Sequence, residues 1–518
     1  MYRLLLLGCA LSAMPAAAQQ SIVIAAQSAP TAMDPHFHRS NPNNAVLRHI
    51  FDGLVDFDND GKILARLAES WRVVDDLTWE FKLREGVRFH DGTPLHVDDI
   101  AFSFERLPNV ANSPGSFAAA VRTVTGVKVI DDRTVHITTS EPTPFLDTEL
   151  TSVLLLSRTI HRDVTTADFN SGRAAIGTGP YRHVAYEQGT RFEAARNPDF
   201  WGPRPDWDKV EMRFIPSPAT RVAALLSGDV DLIDGVPTQD VARLKADPRT
   251  EIFGTASNGT AYLFPDTVRD QAPFMTDKQG RPLAKNPLRD VRVRRALSMS
   301  INRQAIVDRL LAGQGAPAEQ FAPPIAIGRA PDMAPIPYDL ARARALLAEA
   351  GFADGFRMTI HGPQGWFPGD GEVLQAIAQG FSRIGVETQV ETLPTATFFT
   401  RATNRDFAVF MTTYASNVAT ITLQQVVATR DPARRMGPFN RQHYSNPAVD
   451  GPLEEALRTM DPAKRNALSA QAMRTMVEDV GVVPLIYLQV NWAGLKAKVT
   501  YDPSPSWYTN ALFASPAK

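Results

Sequence analysis

The single cysteine of this chain lies at position 9, inside an apolar N-terminal segment. Arg3 gives that segment a positive start, residues 4–13 are too short an apolar run to span a bilayer, and Ala16-Ala17-Ala18 offers small residues for cleavage. Residues 1–18 are therefore predicted to be a signal peptide. The chain that remains has no thiol, which excludes disulfides, thiolate metal sites and a cysteine nucleophile. Its core must be stable without crosslinks.

Two other interpretations of the N-terminus are weaker. It could form a buried helix of the folded protein, or Leu6-Leu7-Gly8-Cys9 could be the cleavage box of a lipoprotein. Cleavage at Cys9 would leave an apolar core of only about five residues, which is short for a signal segment. No later apolar run approaches the ~20 residues of a membrane helix. We expect export to the periplasm of a Gram-negative cell, without a lipid anchor at Cys9.

Composition narrows the class of protein. Lys+Arg number 54 against 56 Asp+Glu, which gives a net charge of −2 and argues against a nucleic-acid binder or a polybasic membrane-surface protein. Hydrophobic residues make up 44% of the chain and are spread along it, so intrinsic disorder is not expected. A length of 518 residues suggests about three domain-sized units.

Hydrophobic periodicity predicts an α/β fold. In the first half of the chain, strands are predicted at 21–26 and 79–83, a helix from Val97, and a helix at 220–226 that Gly228 ends. In the second half, a long helix is predicted after Asp290, with Ile301 on its apolar face. Helices at 340–350 and 372–384 alternate there with strands at 356–360 and 385–390. This βαβ order predicts a mainly parallel sheet.

The sequence contains no Gly-x-Ser-x-Gly elbow, His-Glu-x-x-His helix or P-loop. The only Ser-x-x-Lys is at residues 515–518, where fraying is expected. The stretch 177–181 is glycine-rich, but Pro180 removes an amide that a phosphate cradle would need, so a tight turn is predicted. His36 and His38 would make an incomplete metal site. Carboxylate pairs such as Asp98-Asp99 fall at turns and helix starts, although sequence alone leaves open two carboxylates facing across a cleft.

An ordered set of segments resembles a known family. The segments are Leu67–Trp71, Trp79–Pro94, Asp98–Arg106, Gly177–Tyr181, Arg196–Trp201, Asp290–Leu297 and Tyr444–Pro447, the last followed by Asp450. Together they are similar to the family 5 extracellular solute-binding proteins of ABC importers, the dipeptide, oligopeptide and nickel group. The resemblance runs in register from about residue 21 to about residue 510.

The resemblance implies a two-lobed periplasmic-binding-protein clamshell, type II-like, with an extra subdomain in lobe one. Carried over, lobe one is 19–262 plus 488–518, with the subdomain near 52–170, and lobe two is 263–487. The chain would cross between the lobes near Tyr262-Leu263 and again near Leu488-Gln489. A ligand would bind between the lobes, which close over it and so create a surface for a membrane permease.

The implied function is capture of a peptide or peptide-like solute for an ABC permease. The protein would be a monomer and not an enzyme, and it would have no cofactor, resident metal or nucleic-acid partner. The predicted ligand-binding residues are His36, Phe37, His38, Tyr262, Gln364, Trp366, Phe367, Tyr414, Ser416, Asn417 and Asn440.

Two departures from the peptide-binding members bear on the ligand. The stretch matching their ammonium-binding aspartate, residues 407–430, contains no Asp or Glu, and Ser416 or Asn417 takes that position. The loop matching their carboxylate-binding arginine, residues 362–367, contains no arginine and offers Gln364 and Trp366. A buried charge without a counter-charge costs several kcal/mol. These losses favour a neutral or less charged ligand with apolar or ring surface.

Other ligands and one other class of protein remain open at this point. A nickel chelate or haem could use His36, His38 or His443, and a sugar or an opine would also fit a binding protein of this family. The alternative of another class is an exported hydrolase.

Overall fold

The structure is a computed structural model that describes residues 20–518. The predicted signal peptide and Cys9 lie outside the described residues. Within these residues the fold is mixed α and β, as predicted.

The strands are β1 Ser21–Ala26, β2 Val55–Phe57, β3 Ile63–Ala65, β4 Ala68–Asp75, β5 Thr78–Leu83, β6 Val124–Val129, β7 Thr134–Thr139, β8 Tyr181–Glu187, β9 Arg191–Arg196, β10 Lys209–Phe214, β11 Leu232–Ile233, β12 Thr250–Pro265, β13 Met275–Thr276, β14 Ala316–Pro317, β15 Phe356–Pro363, β16 Val386–Leu393, β17 Val409–Ala415, β18 Val483–Leu495, β19 Val499–Tyr501 and β20 Ala514–Pro516.

The helices are α1 Asn41–Leu47, α2 Val97–Arg106, α3 Ala118–Val121, α4 Leu146–Leu150, α5 Arg158–His161, α6 Thr166–Asn170, α7 Pro218–Ser227, α8 Thr238–Ala246, α9 Val291–Met299, α10 Arg303–Arg309, α11 Leu340–Glu349, α12 Asp370–Arg383, α13 Thr395–Thr403, α14 Ala419–Thr422, α15 Pro447–Ala456 and α16 Pro462–Asp479.

One large sheet runs through the molecule in the order β13-β15-β17-β12-β18-β11-β1-β10-β9-β8, with β16 beside β15 and β14 beside β18. We call the body built on β1 and β8–β11 the first lobe, and the body built on β13 and β15–β17 the second lobe. The long strands β12 and β18 belong to both. The first lobe has an apolar core around Phe192 and Trp492, and the second lobe has two, one around Ile377 and one around Phe410.

A separate antiparallel sheet, β4-β5-β7-β6, covers part of the first lobe. Its inward face, with Trp79 and Phe81, packs on Ile100 and Phe104 of α2, and this separate core is built from residues between 54 and 155. The alternating pattern of β5 and the helix from Val97 are confirmed. This small body with its own core is the extra subdomain of the first lobe.

The second lobe contains the predicted βαβ unit, but its sheet is mixed. Strands β15 and β16 are parallel and flank α12, and β15 is also parallel to β17. However, β17 pairs antiparallel with β12, and β13 pairs antiparallel with β15. The prediction of a mainly parallel sheet was wrong because the crossing strands β12 and β18 run antiparallel to each other and β12 joins the sheet antiparallel to β17, which periodicity does not reveal.

Local signals set most helix ends. Ser217 caps the start of α7, and Gly228 ends it with φ 82°, a left-handed conformation that favours glycine. Asp290 caps α9, as expected from its position, but α9 ends at Met299, so the predicted long helix is only nine residues. Ile301 is buried just beyond its end.

The glycine-rich stretch 177–181 is a close backbone contact. A Cβ on Gly177 would lie 1.9 Å from the Ile50 carbonyl oxygen, and one on Gly179 would lie 2.6 Å from the Ile50 carbonyl carbon. The amide of Gly179 donates to the same Ile50 oxygen at 2.9 Å. The glycines therefore let this segment pack on the end of α1.

The two crossing strands are irregular where they pass from lobe to lobe. The register of β12 against β18 shifts between Ala256 and Thr260. Before the shift β12 pairs only with β18, and from Gly259 onward it also pairs with β17 of the second lobe. The sequence-based lobe boundaries and crossing points stay predictions; we note that this shift lies close to the first of them.

Candidate functional site

Two cavities lie between the lobes. The first has a volume of about 830 Å³ and the second about 730 Å³. The first is lined by Arg39, Ser40, Asn41, Asn44, Phe57, Arg122, Thr148, Glu149, Thr151, Ser152, Asn258, Tyr414, Ala415, Ser416, Asn417, Val418, Ile421, Gln424, Gln425, Arg430, Pro432, Arg435, Met436, Pro438, Ser506 and Tyr508.

The second cavity is lined by Gln27, Pro218, Arg221, Asp234, Gly235, Val236, Pro237, Thr238, Gln239, Arg309, Leu310, Leu311, Ala312, Gln314, Gly365, Trp366, Phe367, Pro368, Gly369, Asp370, Glu372, Leu488, Gln489, Val490, Asn491, Trp492, Trp507 and Thr509. Ser506 and Tyr508 line the first cavity, whereas Trp507 and Thr509 line the second. The segment 506–509 therefore lies between the two cavities.

At the first cavity, amide hydrogen bonds connect the end of β17 in the second lobe to the crossing strand β12. The backbone N–H of Ser416 donates to the Asn258 carbonyl at 2.9 Å. The Asn258 side-chain Nδ2 donates to Asn417 Oδ1, also at 2.9 Å. Because Asn258 lies in the irregular part of β12, these bonds tie the end of β17 to the crossing strand.

Charged groups of the first cavity come from both lobes. Arg39 pairs with Glu149 at 2.9 Å within the first lobe. Arg435 of the second lobe pairs with Glu141 of the first at 3.2 Å. Burial, with Glu149 nearby, raises the pKa of the Tyr414 hydroxyl, which keeps this hydroxyl neutral.

Two further arginines of the first cavity have no such partner. Within residues 20–518, the guanidinium groups of Arg122 and Arg430 are without an ion pair or side-chain hydrogen bond. Burial and the charge of Arg435 lower the pKa of Arg122. An unpaired cation that lies near another cation favours a bound anion.

The two buried carboxylates of the second cavity, Asp234 and Asp370, are satisfied by the fold. Asp234 accepts hydrogen bonds from the Gln27 amide at 2.8 Å and the Thr509 hydroxyl at 2.9 Å, and it lies 3.6 Å from Arg221. Burial raises the pKa of Asp234, and Arg221 opposes that effect. Asp370 accepts from the amides of Trp366 and Gly371.

Trp366 presents the largest accessible ring of the second cavity. Its side chain is held by an Nε1–H bond to Thr413 Oγ1 at 2.8 Å and by an edge contact with Phe399. The residue is still 42% exposed, so its ring is open to a ligand. Thr413 lies in β17 and lines neither cavity.

The structure places five of the predicted ligand residues at the cavities. Tyr414, Ser416 and Asn417 line the first, and Trp366 and Phe367 line the second. Gln364 is exposed but lines neither of these two cavities. The assignment of these residues to ligand binding stays a prediction.

The other five predicted residues lie away from both cavities. His36 is buried and bonds the Leu154 carbonyl through Nε2, and Phe37 and His38 are half-buried beside it. Tyr262 is buried against Phe321. The side-chain amide of Asn440 donates hydrogen bonds to the backbone carbonyls of Val427, Ala428 and Tyr444.

The sequence argument missed the charged wall of the first cavity. Arg39, Arg122 and Glu149 belong to no motif and are far apart in sequence. Arg430 lies at the end of residues 407–430, the stretch that matches a ligand-binding loop of the family. That position is the only signal for Arg430 in the sequence.

The described residues offer neither a cluster of metal ligands nor a membrane-spanning helix. Residues 20–518 contain no group of three or more His, Cys, Asp or Glu side chains placed to hold a metal ion. Burial lowers the pKa of His36 to about 4, and His443 Nδ1 faces the Arg405 guanidinium at 3.3 Å. In the same part of the chain, no helix has the length and apolar character of a membrane span.

Comparison with known proteins identifies the family. The sequence model described as bacterial extracellular solute-binding proteins, family 5 Middle, matches residues 62–421. The chain belongs to the family 5 extracellular solute-binding proteins. The family resemblance inferred from its segments is thereby confirmed.

Individual relatives agree with this assignment. The glutathione-binding protein GsiB of Salmonella typhimurium is 27% identical over 493 residues, which is 93% of this chain and 91% of GsiB. The periplasmic binding protein DppA from Helicobacter pylori, solved with the peptide STSA, has a TM-score of 0.74 at 23% identity, covering 96% of this chain and 98% of DppA.

The periplasmic murein tripeptide binding protein MppA, in an unliganded open form, has a TM-score of 0.80 at 21% identity, covering 96% of this chain and 98% of MppA. The shared fold confirms the predicted two-lobed architecture.

Proposed function

We propose that this chain is the periplasmic solute-binding component of an ABC importer and that it captures a peptide or peptide-like solute between its lobes. GsiB binds glutathione, and DppA was solved with a four-residue peptide. A peptide-like solute of that size is the ligand class that these relatives support. Delivery to an inner-membrane permease, a monomeric state and the absence of catalysis belong to the same proposal.

The observation that carries the proposal is the first cavity. Its volume of about 830 Å³ lies within the usual ~300–1,000 Å³ range of small-molecule sites. Both lobes supply its walls, so a ligand there would contact both and would stabilise the closed arrangement over an open one. Its lining is rich in side-chain amides and hydroxyls, which can bind the polar backbone of a peptide.

The crossing strands supply a place for the lobes to move. At the register shift around Asn258, fewer ladder hydrogen bonds tie β12 to β18. Hinge residues are commonly a few positions that absorb changes in φ and ψ. We place the hinge at residues 257–259 of β12 and near Leu488 of β18, with the lobes approximately as the sequence predicts.

Binding can be tested by titration calorimetry with glutathione and with tripeptides. We expect saturable binding of one ligand per chain and recovery of the ligand chemically unchanged. Cleavage of the peptide would instead support the exported hydrolase. Small-angle scattering with and without ligand should show a decrease in the radius of gyration when the lobes close.

A blocking variant tests whether the first cavity is the site. Ala415 is exposed and lines this cavity, so Ala415→Trp should fill it and abolish binding. Ala353→Trp, at an exposed turn that lines neither cavity, is the matched control and should bind normally. Normal binding by Ala415→Trp would exclude the first cavity as the site.

A further inference from the structure

The first cavity is strongly unbalanced in charge. Arg39, Arg122, Arg430 and Arg435 line it, and Glu149 is its only acidic lining residue. Glu149 is already paired with Arg39, and Arg435 is paired with Glu141, which lies outside the lining. The positive charge that remains for a ligand is therefore that of Arg122 and Arg430.

These two arginines come from opposite sides of the cleft. Arg122 follows α3 in the first lobe, and Arg430 follows the π-helical turn after α14 in the second. An anionic group between them would contact both lobes at once. Because guanidinium groups bind carboxylates through paired N–H donors, a carboxylate is the anion that best fits a peptide-like ligand.

We propose that the first cavity selects an anionic peptide-like solute, one with at least two carboxylates for one ammonium group, and that Arg122 and Arg430 bind the additional carboxylate. This inference rests on the proposed function, since it takes the ligand to be peptide-like. It reverses the expectation of a neutral ligand, which came from two short segments. The structure adds Arg122, which lies outside those two segments, and places Arg430, at the end of one of them, in the same cavity.

The electrostatics favour this ligand class over a neutral peptide. The charge of Arg435 acts on the exposed Arg122, and an anion relieves that repulsion while it forms charge-assisted hydrogen bonds. An ordinary zwitterionic peptide brings one positive charge with its one negative charge. A ligand with an additional carboxylate matches the excess positive charge of the wall.

The test compares peptides that differ by one charge at nearly constant shape. The probes are the tripeptides Ala-Glu-Ala and Ala-Gln-Ala, with glutathione as a third ligand and citrate as a carboxylate that is not a peptide. Calorimetry on the full chain should show that Ala-Glu-Ala binds about tenfold more tightly than Ala-Gln-Ala, an effect of the size expected for a partly buried charge contact. Raising the ionic strength should reduce this preference, because salt screens exposed charges.

The variants isolate the two arginines. The double variant Arg122→Gln and Arg430→Gln should bind both tripeptides with similar affinity. Its matched control is Arg162→Gln with Arg458→Gln, which removes the same charge from exposed arginines, one from each lobe, that line neither cavity. The control should keep the preference for Ala-Glu-Ala.

The outcomes separate this inference from the proposed function. Equal binding of the two tripeptides to the native protein overturns the inference and leaves peptide capture standing. An equal loss of preference in both double variants also overturns it, since net charge alone would then be the cause. Binding of citrate but of no peptide, with loss in the Arg122/Arg430 variant, supports the anion site and rejects the peptide. Binding of none of these ligands rejects both.

Discussion

The two cavities between the lobes are similar in size but differ in what their charged groups do. In the second cavity Asp234 and Asp370 are held by backbone amides, a hydroxyl and Arg221. In the first, Arg122 and Arg430 line the wall without a partner among residues 20–518. The second set supports the fold, and the first set is available to a ligand. The presence of charge in a cleft therefore does not by itself indicate recognition.

The largest effect is expected at Asp234. Asp234→Ala removes the carboxylate beside the buried Arg221 guanidinium and leaves that charge unpaired, so the free energy of unfolding should fall by about 3–5 kcal/mol. Urea denaturation measures this change. Asp354→Ala at an exposed turn is the control and should change stability by less than about 0.5 kcal/mol. A similarly small effect at Asp234 would show that its pairing with Arg221 does not support the fold.

Lowering the pH should destabilise the contact between His49 and the C-terminal segment that follows Tyr508. His49 is buried, Nδ1 donates to the Val46 carbonyl, and Nε2 accepts from the Ala511 amide, which fixes the segment after Tyr508. Burial lowers the pKa of His49 from 6.5 to about 4. The unfolded chain therefore binds the proton first, and stability is lost as pH falls from about 6.5 toward 4.

At about pH 5, the loss of unfolding free energy that His49 causes amounts to about 2 kcal/mol. In His49→Gln, the loss of unfolding free energy between about pH 7 and about pH 5 should be smaller than in the native protein by that amount. Denaturation at both pH values measures the difference. An identical loss in the two proteins would contradict the assignment of the proton to His49.

A smaller effect is expected at Trp366 of the second cavity, which donates a hydrogen bond to Thr413. Trp366→Ala removes the hydrogen bond to Thr413 and the edge contact with Phe399, and should lower stability by about 1–2 kcal/mol. Trp366→Phe keeps a ring and should lose about half as much. Thermal unfolding compares the two variants.

Ligand affinity in the same Trp366 variants sharpens the comparison of the cavities. If the charged wall of the first cavity dominates binding, Trp366→Ala should weaken Ala-Glu-Ala by about threefold, the size of a modest aromatic contact. A loss larger than that of the Arg122/Arg430 double variant would show that the second cavity carries more of the binding energy.

The smallest effect on stability is expected at the arginines of the first cavity. Arg122 and Arg430 are exposed, so Arg122→Gln with Arg430→Gln should change the free energy of unfolding by less than about 0.5 kcal/mol. Denaturation without ligand measures it. A large destabilisation would mean that these arginines support the fold, as the charges of the second cavity do.

Much of the fold could be predicted because its signals are local. The strand at 21–26, the helix from Val97 and the cap at Gly228 depend on side chains within a few residues of each other. Strand direction in the second lobe depends instead on β12 and β18, which are far apart in sequence. For that reason the βαβ unit was predicted correctly and the mixed sheet was not.

The site was harder to predict than the fold. Tyr414, Ser416 and Asn417 lie in one short segment that matches a ligand loop of the family, so they could be found at the cavity. Arg122 and Glu149 reach the same cavity through the small sheet's body, and no local pattern links them to Arg430. The charge of the cavity depends on the tertiary arrangement, and a search of single segments gave the opposite expectation.

The return of the chain to the first lobe through β18 has a consequence for the order of folding. Trp492, Tyr501, Ala511 and Ala514 complete the apolar core of the first lobe, and residues 506–509 divide the cleft. Until about the last thirty residues have joined the fold, the core of the first lobe is incomplete and the two cavities are not separated. A chain truncated before β18 should thus lose both the stability of its first lobe and its capacity to bind a ligand.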